Sequence, residues 1–440
     1  MEEREFSRQI LGLAVPMTIE MFMQSLVLLV DIFFVARLGG EAVAAVGMVG
    51  VLAALFLTVA WGLGEGATAM VARRIGENDT GAAGCVATNA LLLSGALGTV
   101  IGLGVALRSV DLLTWMGASA DLATDGRSYA SLILGGSGVL WFIVVGNSLL
   151  RAAGDAGLAL RVFLLTNALN LGLDPFLIFG WGPFPELGLA GAAVATLVGW
   201  MGGGLYIAII LMRGRGRIRC RRSWPDFGII KRLTKLAAPA VASYLAAELG
   251  LVMLFRLLAS FGPTALAAFT LCTRFQLADG LSSGLSHAAK TLTGQNLGAG
   301  RPDAAESVAW RVGFYNLAAL LGVAAIYVFQ GKMLLGLFSD DPQVIALAWQ
   351  CQLWVCGSFA FQAFGGVLEQ SLIGAGDTST PALVNTGGLW LCQLPLAYLL
   401  GVVLGFGATG VFAALGIYQA LLNITLIILF QRGAWKHICV

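Results

Sequence analysis

The chain has 440 residues, 58% of them hydrophobic and only 11% charged, with a formal net charge of +2. Soluble globular domains carry about 25% charged residues, so a chain with mean hydropathy +0.85 and so few charges cannot cover a water-facing surface and is expected to lie mostly in lipid. The small net charge gives no basis for nucleic-acid binding. The seven scattered cysteines, with no CxxC pair and two histidines to assist, read as packing residues rather than metal ligands or disulfides.

In chain order, the start MEEREFSRQI mixes acids with bases and leads into an apolar stretch of helix length, which reads as a first span rather than a cleavable signal. Apolar stretches of about 20 residues or more, the length a helix needs to cross a bilayer, fall at 10–36, 44–72, 84–107, 125–150, 157–180, 187–212, 233–260, 265–289, 306–330, 343–373, 380–402 and 407–431. The prediction is therefore an all-α membrane protein of about twelve spans. Basic residues divide 20 to 5 in favour of the side that holds the N-terminus, which places both termini in the cytoplasm; the expected location is a prokaryotic inner membrane, crossed many times. The run RGRGRIRCRR at 213–222 reads as a positive-inside stop signal between two halves rather than as a nucleic-acid or lipid patch.

Those halves repeat at an offset near 220. LAVP at 13–16 answers LAAP at 236–239, IGENDTGAA at 75–83 answers LGAGRPDAA at 297–305, and AGD at 153–155 answers AGD at 375–377. The expected organisation is an N-terminal lobe over 1–212, a basic cytoplasmic linker over 213–232 and a C-terminal lobe over 233–440. An even number of spans per repeat gives both copies the same orientation, an arrangement that places a substrate path between lobes.

A carboxylate near the middle of a span costs about 2.5–3.5 kcal/mol on insertion scales, so each one asks for a reason. Asp31 sits within QSLVLLVDIFFVARLG, with apolar residues still separating it from the next loop. Asp174, in TNALNLGLDPFLIFG, shares a helix face with Asn170, while Pro175 leaves the Leu171 carbonyl without its usual donor. Counting at 1.5 Å per residue puts Asp31 about 8 Å, Asp174 about 9 Å and Thr196 about 14 Å from the outer ends of their helices. One layer can then hold all four side chains, and the two carboxylates would share a proton and titrate as a unit. The second half has no such acidic pair. Glu248 has Arg256 two turns away, which leaves a structural ion pair and a second coupling acid as alternatives. Glu369 and Arg274 read as structural, and His287 and Lys290 as interfacial. GLGEGA at 62–67 and GSGVLW at 136–141 lie inside apolar spans without a following GK, so they are not phosphate loops.

LAVP, the acid of LLVDIFFVARLG, the AGD after the fourth and tenth spans, NLGLDPF and GLAGAAVAT, in this order and spacing, make the chain resemble the multidrug and toxic compound extrusion (MATE) transporters from about residue 10 to 432. The resemblance implies two pseudo-symmetric six-helix lobes forming a V around a central cavity, alternating access, and export of amphipathic organic cations driven by inward H+ or Na+. It is closest to the DinF-like branch, whose roles carry over to Asp31, Asn170, Asp174 and Thr196 as proton-coupling residues or Na+ ligands. Gln24, Tyr129 and Asn147 match polar positions near the N-lobe cavity. Glu248 matches the helix 7 acid of the NorM-like branch, but Gln362 stands where that branch has a helix 10 Asp. No metal centre or cofactor is implied beyond the coupling ion, and the protein is expected to work as a monomer. A flippase for lipid-linked saccharides would share the lobed plan but call for basic cavity residues, whereas the buried charges here are mainly acidic. An intramembrane enzyme would need clustered nucleophile and His or Asp groups that the sequence lacks.

Overall fold

Lipid offers no partner for backbone N–H and C=O groups, so spanning segments must satisfy them internally. The computed structural model accordingly is helical, with no strand among the described residues. It describes residues 2–220, 224–274 and 277–438, with the side chains of 2–6, 25–29, 32, 120, 121, 125, 274 and 277–279 excepted. The Arg4 and Arg274 side chains, Arg221, Arg222 and Cys439 thus lie outside the described residues.

Each of the twelve expected spans falls on one helix or on successive helices, the eighth on two that flank residues 275–276, which are outside the described set. In the first half these are α1 (Glu2–Ala36), α2 (Gly40–Gly76), α3 (Thr80–Leu107), α8 (Ala156–Phe179) and α9 (Leu189–Arg213). Two short helices, α4 (Ser109–Trp115) and α5 (Ala120–Asp125), precede the fourth span, which is broken into α6 (Arg127–Gly135) and α7 (Ser137–Ala153) with a bend of 40°. The second half contains α10 (Phe227–Ala259), α11 (Pro263–Arg274), α12 (Leu277–Gly298), α13 (Pro302–Leu335), α14 (Pro342–Ala375) and α17 (Gly407–Gln431). Between the last two, α15 (Ser379–Gly388) and α16 (Leu394–Tyr398) alternate with π-helical turns at Leu389–Gln393 and Leu399–Val403. Pro395 cannot donate to the Leu391 carbonyl, and the wider turns re-register the ladder around it. Among the described residues, nine helices are long and apolar enough to cross a membrane, or ten with the bent pair taken as one span, so twelve is an approximate count.

The glycine motifs prove to be sites of close approach. In GLGEGA, a Cβ on Gly62 would meet the Val241 side chain at 2.3 Å, one on Gly64 Ser148 Oγ at 2.8 Å, and one on Gly66 the Leu233 carbonyl at 3.1 Å. In GSGVLW, a Cβ on Gly136 would meet Leu197 at 2.1 Å and one on Gly138 Thr99 Oγ1 at 2.2 Å. Packing of backbone against neighbour is what drives helix association where lipid is as apolar as the side chains.

The repeat is present in backbone hydrogen bonds. Gly154 N donates to Arg151 O and Asp155 N to Leu150 O, and 222 residues on Gly376 N donates to Ile373 O and Asp377 N to Leu372 O, all at 2.9 Å. Asn78, the one non-glycine residue with positive φ among those described, is answered by Gly300, and Gly39 by Gly262. These turns leave the helix through the left-handed region, which explains glycine at five of the six positions.

The chain divides into two compact units, Phe22–Val241 and Met1–Met21 with Ala242–Val440. This division cuts α1 and α10 within their length, whereas the repeat places its boundaries in the linker. The linker itself is pinned to the first of these units. Asp155 Oδ2 accepts from Arg217 N at 2.7 Å, Asn89 Oδ1 accepts from Asp226 N at 2.7 Å, and Ile218 is buried. Its repeat counterpart Asp377 instead caps the next helix by accepting from Thr380 N at 3.0 Å. In the other unit, Lys436 folds back to Glu306 at 2.5 Å and Asp303 at 3.4 Å, and Trp435 stacks on Phe430. The six described cysteines are free thiols.

Candidate cation and substrate site

The site in the Phe22–Val241 unit is built on the contact of α8 with α9. GLAGAAVAT and the glycines after it set Gly191, Ala195, Gly199 and Gly203 one turn apart on α9. A Cβ on Gly191 would lie 2.2 Å from the Leu177 carbonyl, one on Gly199 2.6 Å from the Thr166 carbonyl and one on Gly203 2.0 Å from Thr166 Oγ1. No side chain fits at these three glycines, so the helices meet at backbone distance there. Asn170 and Thr196 are thereby brought together: Asn170 Nδ2 donates to Thr196 Oγ1 at 3.2 Å, and Thr196 Oγ1 donates to Ala192 O at 2.9 Å. The loop after α8 is held in place by Leu187 N to Leu177 O at 3.0 Å and Gly188 N to Ile178 O at 3.2 Å.

Asp31 and Asp174 join from either side of one apolar cluster. Val35, Ile178 and Ala192 form its buried centre, with Phe34, Phe179 and Tyr129 packed against it. These three positions are one helical turn from Asp31, Asp174 and Thr196 respectively, so the cluster fixes α1, α8 and α9 in register and leaves the polar side chains in the next layer. Asp174 is 3% exposed and Asn170 5%. Asp31 is half-buried, and its Oδ1 is buried without a hydrogen-bond partner among the described residues. The two carboxylates thus stand one turn from the same cluster, against which Tyr129 also packs. A crevice of about 250 Å³, lined in part by Leu38, Glu41, Ala42 and Leu189, opens at the loop end of the same cluster.

Of the eight residues singled out from the sequence, Asp31, Asn170, Asp174, Thr196 and Tyr129 occupy this one region. Asn147 is buried on α7, and Gln24 is exposed on α1 about 10 Å along the helix from Asp31. Glu248 is half-buried on α10 in the other unit. There Glu369 accepts from Asn385 Nδ2 at 2.7 Å, which gives its carboxylate an amide partner. Lys290 is 4% exposed, with its backbone against Gly374 of α14, so it is packed between helices rather than displayed at an interface. Two further buried carboxylates, Glu20 and Glu65, were not singled out, although both lie in apolar runs where the insertion cost applies equally.

Two carboxylates, an amide and a hydroxyl on three packed helices offer hard oxygen ligands and no strong base of another kind. The arrangement suits a proton or a hard monovalent cation.

Comparison with known proteins agrees with this architecture along the whole chain. The MatE family profile matches residues 16–176 and again 239–399, one match in each half. A Thermotoga maritima protein described as a probable multidrug resistance protein NorM is 26% identical over 439 residues, covering 99% of this chain and 94% of that one. A Shewanella oneidensis FAD transporter is 30% identical, covering 92% and 90%. Among solved structures, the outward-facing conformation of a multidrug resistance MATE family transporter of the MOP superfamily superposes with a TM-score of 0.89 at 27% identity, over 98% of this chain and 97% of that one. With both repeats matched by the profile and the fold shared end to end, the chain belongs to the MATE family of membrane transporters, and it is not an enzyme.

Proposed function

We propose that this transporter exports amphipathic organic cations in exchange for H+ or Na+ entering from the opposite side. In this reading Asp31, Asn170, Asp174 and Thr196 hold the coupling cation, while Gln24, Tyr129, Asn147 and Glu248 face the substrate. The observation that carries the reading is that carboxylates from α1 and α8 flank one buried cluster, one of them with a buried oxygen that has no donor among the described residues. Such a pair is costly in a bilayer and is relieved by a cation, whether the coupling ion or a cationic substrate. The name of the Thermotoga maritima relative supports a drug substrate, and the acid layer on α1 and α8 supports the DinF-like branch.

The experiment is transport in proteoliposomes loaded with a fluorescent cationic dye, with a proton gradient and a sodium gradient imposed separately. Dye movement driven by one gradient and collapsed by the matching ionophore is the expected result. Movement that ignores both gradients contradicts the proposal. A second reading rests on the Shewanella oneidensis relative, whose described cargo is FAD. Adding FAD to the same assay decides between them, because an anionic dinucleotide that is itself carried, and that competes with the dye, would replace the cation reading. A lipid-linked saccharide flippase is disfavoured by the same acidic layer.

The orientation proposed is cytoplasmic termini and linker in an inner membrane. Arg215 is exposed in the linker, and a Cβ on Gly40 would meet nothing within 4 Å, so Arg215→Cys and Gly40→Cys are tolerated labelling sites. Burial pushes the native Cys220 thiol up, which slows its own reaction. An impermeant maleimide on intact spheroplasts is expected to label Gly40→Cys and to leave Arg215→Cys untouched until the membrane is opened. The reverse pattern inverts the topology.

A further inference from the structure

A binding surface for an anionic ligand lies within the Phe22–Val241 unit, at the start of the linker. As a stop signal, RGRGRIRCRR acts through the number of its charges and needs no fold. Residues 213–220 are nevertheless folded. The chain leaves α9 through Gly214 in the left-handed region and doubles back, with Arg215 N donating to Ile210 O at 3.1 Å and Cys220 N to Leu211 O at 3.0 Å. Asp155 Oδ2 holds the tip by accepting from Arg217 N at 2.7 Å, and Gly84 of α3 leaves no room for a Cβ against the Arg219 carbonyl. Side chains alternate along this hairpin: Gly216 lies against Asp155 and Leu158 and Ile218 is buried, while Arg215, Arg217 and Arg219 are exposed, as is Arg213 on the last turn of α9. None of the four guanidiniums has an ion-pair partner among the described residues. The acids of the neighbouring turns are committed elsewhere: Asp155 to Arg217 N, Asp226 to Gly228 N at 2.8 Å, Asp79 to Ala82 N at 2.8 Å and Glu77 to Arg74. Residues 221–223, outside the described set, hold no acid. Asp226 N donates to Asn89 Oδ1 at 2.7 Å and so anchors the end of the linker on α3, and Trp224 and Phe227 on either side of this anchor are 93% and 82% exposed.

Depth and the two rings identify the partner. The 25 residues of α9 make a rod of about 38 Å against a hydrocarbon core of about 30 Å, so Arg213 stands about 4 Å beyond the hydrocarbon edge, level with the lipid headgroups. Because Cys220 returns to Leu211, the hairpin stays at that level. It lies on the side proposed as cytoplasmic, where anionic lipids concentrate. We propose that this surface binds anionic phospholipid of the cytoplasmic leaflet. The phosphates are taken by Arg213, Arg215, Arg217 and Arg219, and Trp224 and Phe227 seat in the interface between headgroup and chain. Guanidinium groups match phosphate oxygens two at a time, and exposed aromatic rings beside basic residues suit the headgroup boundary. A soluble phosphate would satisfy the arginines but leave both rings in water.

The test uses the full-length protein in detergent, titrated with dioleoylphosphatidylglycerol or dioleoylphosphatidylcholine and followed by native mass spectrometry of retained lipid. Phosphatidylglycerol is expected to bind more tightly than phosphatidylcholine. Each basic residue beside an anionic headgroup is worth a factor of about five, so the Arg215→Gln, Arg217→Gln double variant is expected to weaken phosphatidylglycerol roughly 25-fold and to leave phosphatidylcholine unchanged. Asp155→Ala separates an ordered site from a count of charges, because it frees the hairpin tip and at the same time removes a negative charge. The ordered site is expected to lose phosphatidylglycerol by about fivefold for the lost hydrogen bond, whereas charge alone would bind it more tightly. The Asp155 side chain caps no helix, so α8 is expected to keep its fold. Trp224→Ser with Phe227→Ser is expected to weaken both lipids alike. Equal retention of the two lipids by the wild type overturns the proposal, as does an arginine double variant that binds phosphatidylglycerol as the wild type does, or an Asp155→Ala that binds it more tightly. Retention of both lipids undiminished by loss of the rings, or displacement of phosphatidylglycerol by millimolar inorganic phosphate at constant ionic strength, overturns it in favour of a soluble anion. None of these outcomes depends on efflux, so the proposal fails separately from the transport reading.

Discussion

With Asp31 replaced by asparagine, the protein is expected to insert and fold as the wild type does while gradient-driven efflux falls to the leak of empty liposomes. Asparagine keeps the size of the side chain and removes only its charge. Asp31 Oδ1 is buried without a hydrogen-bond partner among the described residues, so the substitution replaces a poorly satisfied charged group by a neutral one. The change in thermal stability is expected to be neutral or favourable, on the order of 1 kcal/mol. Function moves the other way, because a neutral side chain at position 31 can neither hold the coupling cation nor release it. Stability and activity therefore separate, which a merely structural Asp31 would not allow. Efflux at the wild-type rate from equal amounts of Asp31→Asn would falsify its role in coupling.

The acid layer was legible because two independent readings converge on it. Asp31 and Asp174 are each conspicuous in an apolar run, and a count at 1.5 Å per residue puts them at similar depth. The structure adds what counting lacks, namely the cluster of Val35, Ile178 and Ala192 that holds the three helices in register, and the placement of Tyr129 against it. Tyr129 could not be positioned from hydropathy, since it belongs to the short α6 ahead of the break at Gly136. The repeat was visible as short matches, and the left-handed turns at Gly39 and Gly262, Asn78 and Gly300, and Gly154 and Gly376 show why those matches survive: the backbone tolerates few other residues there. Depth along a helix says nothing of which neighbour a side chain meets. That is why Lys290 read as interfacial from its place near a helix end, although it is packed between helices. The same gap hid Glu65, whose surrounding glycines drew the reading toward a rejected phosphate loop rather than toward the buried acid between them.

Asp174→Asn decides which cation the layer holds. If a proton is the coupling ion, protons and a cationic dye compete for the same carboxylates, and linkage requires each to weaken the other's binding. Dye affinity of the wild type is then expected to fall as pH falls, by about tenfold or more between pH 8 and pH 5, and to be indifferent to sodium. Removing one carboxylate leaves no pair to share the proton, so Asp174→Asn is expected to flatten this dependence as well as to lower affinity throughout. If sodium is the coupling ion, its ligands include the oxygens of Asn170 and Thr196, which already meet at 3.2 Å. Sodium then weakens dye binding at constant pH, and Thr196→Val, which deletes the hydroxyl and keeps the shape, abolishes that effect. A proton-driven site tolerates Thr196→Val far better, because the hydroxyl carries no part of the charge that is exchanged. Dye affinity measured in purified wild type, Asp174→Asn and Thr196→Val, against pH and against sodium, gives each mechanism its own pattern. Wild-type affinity that responds to neither ion removes Asp31 and Asp174 from the coupling step altogether.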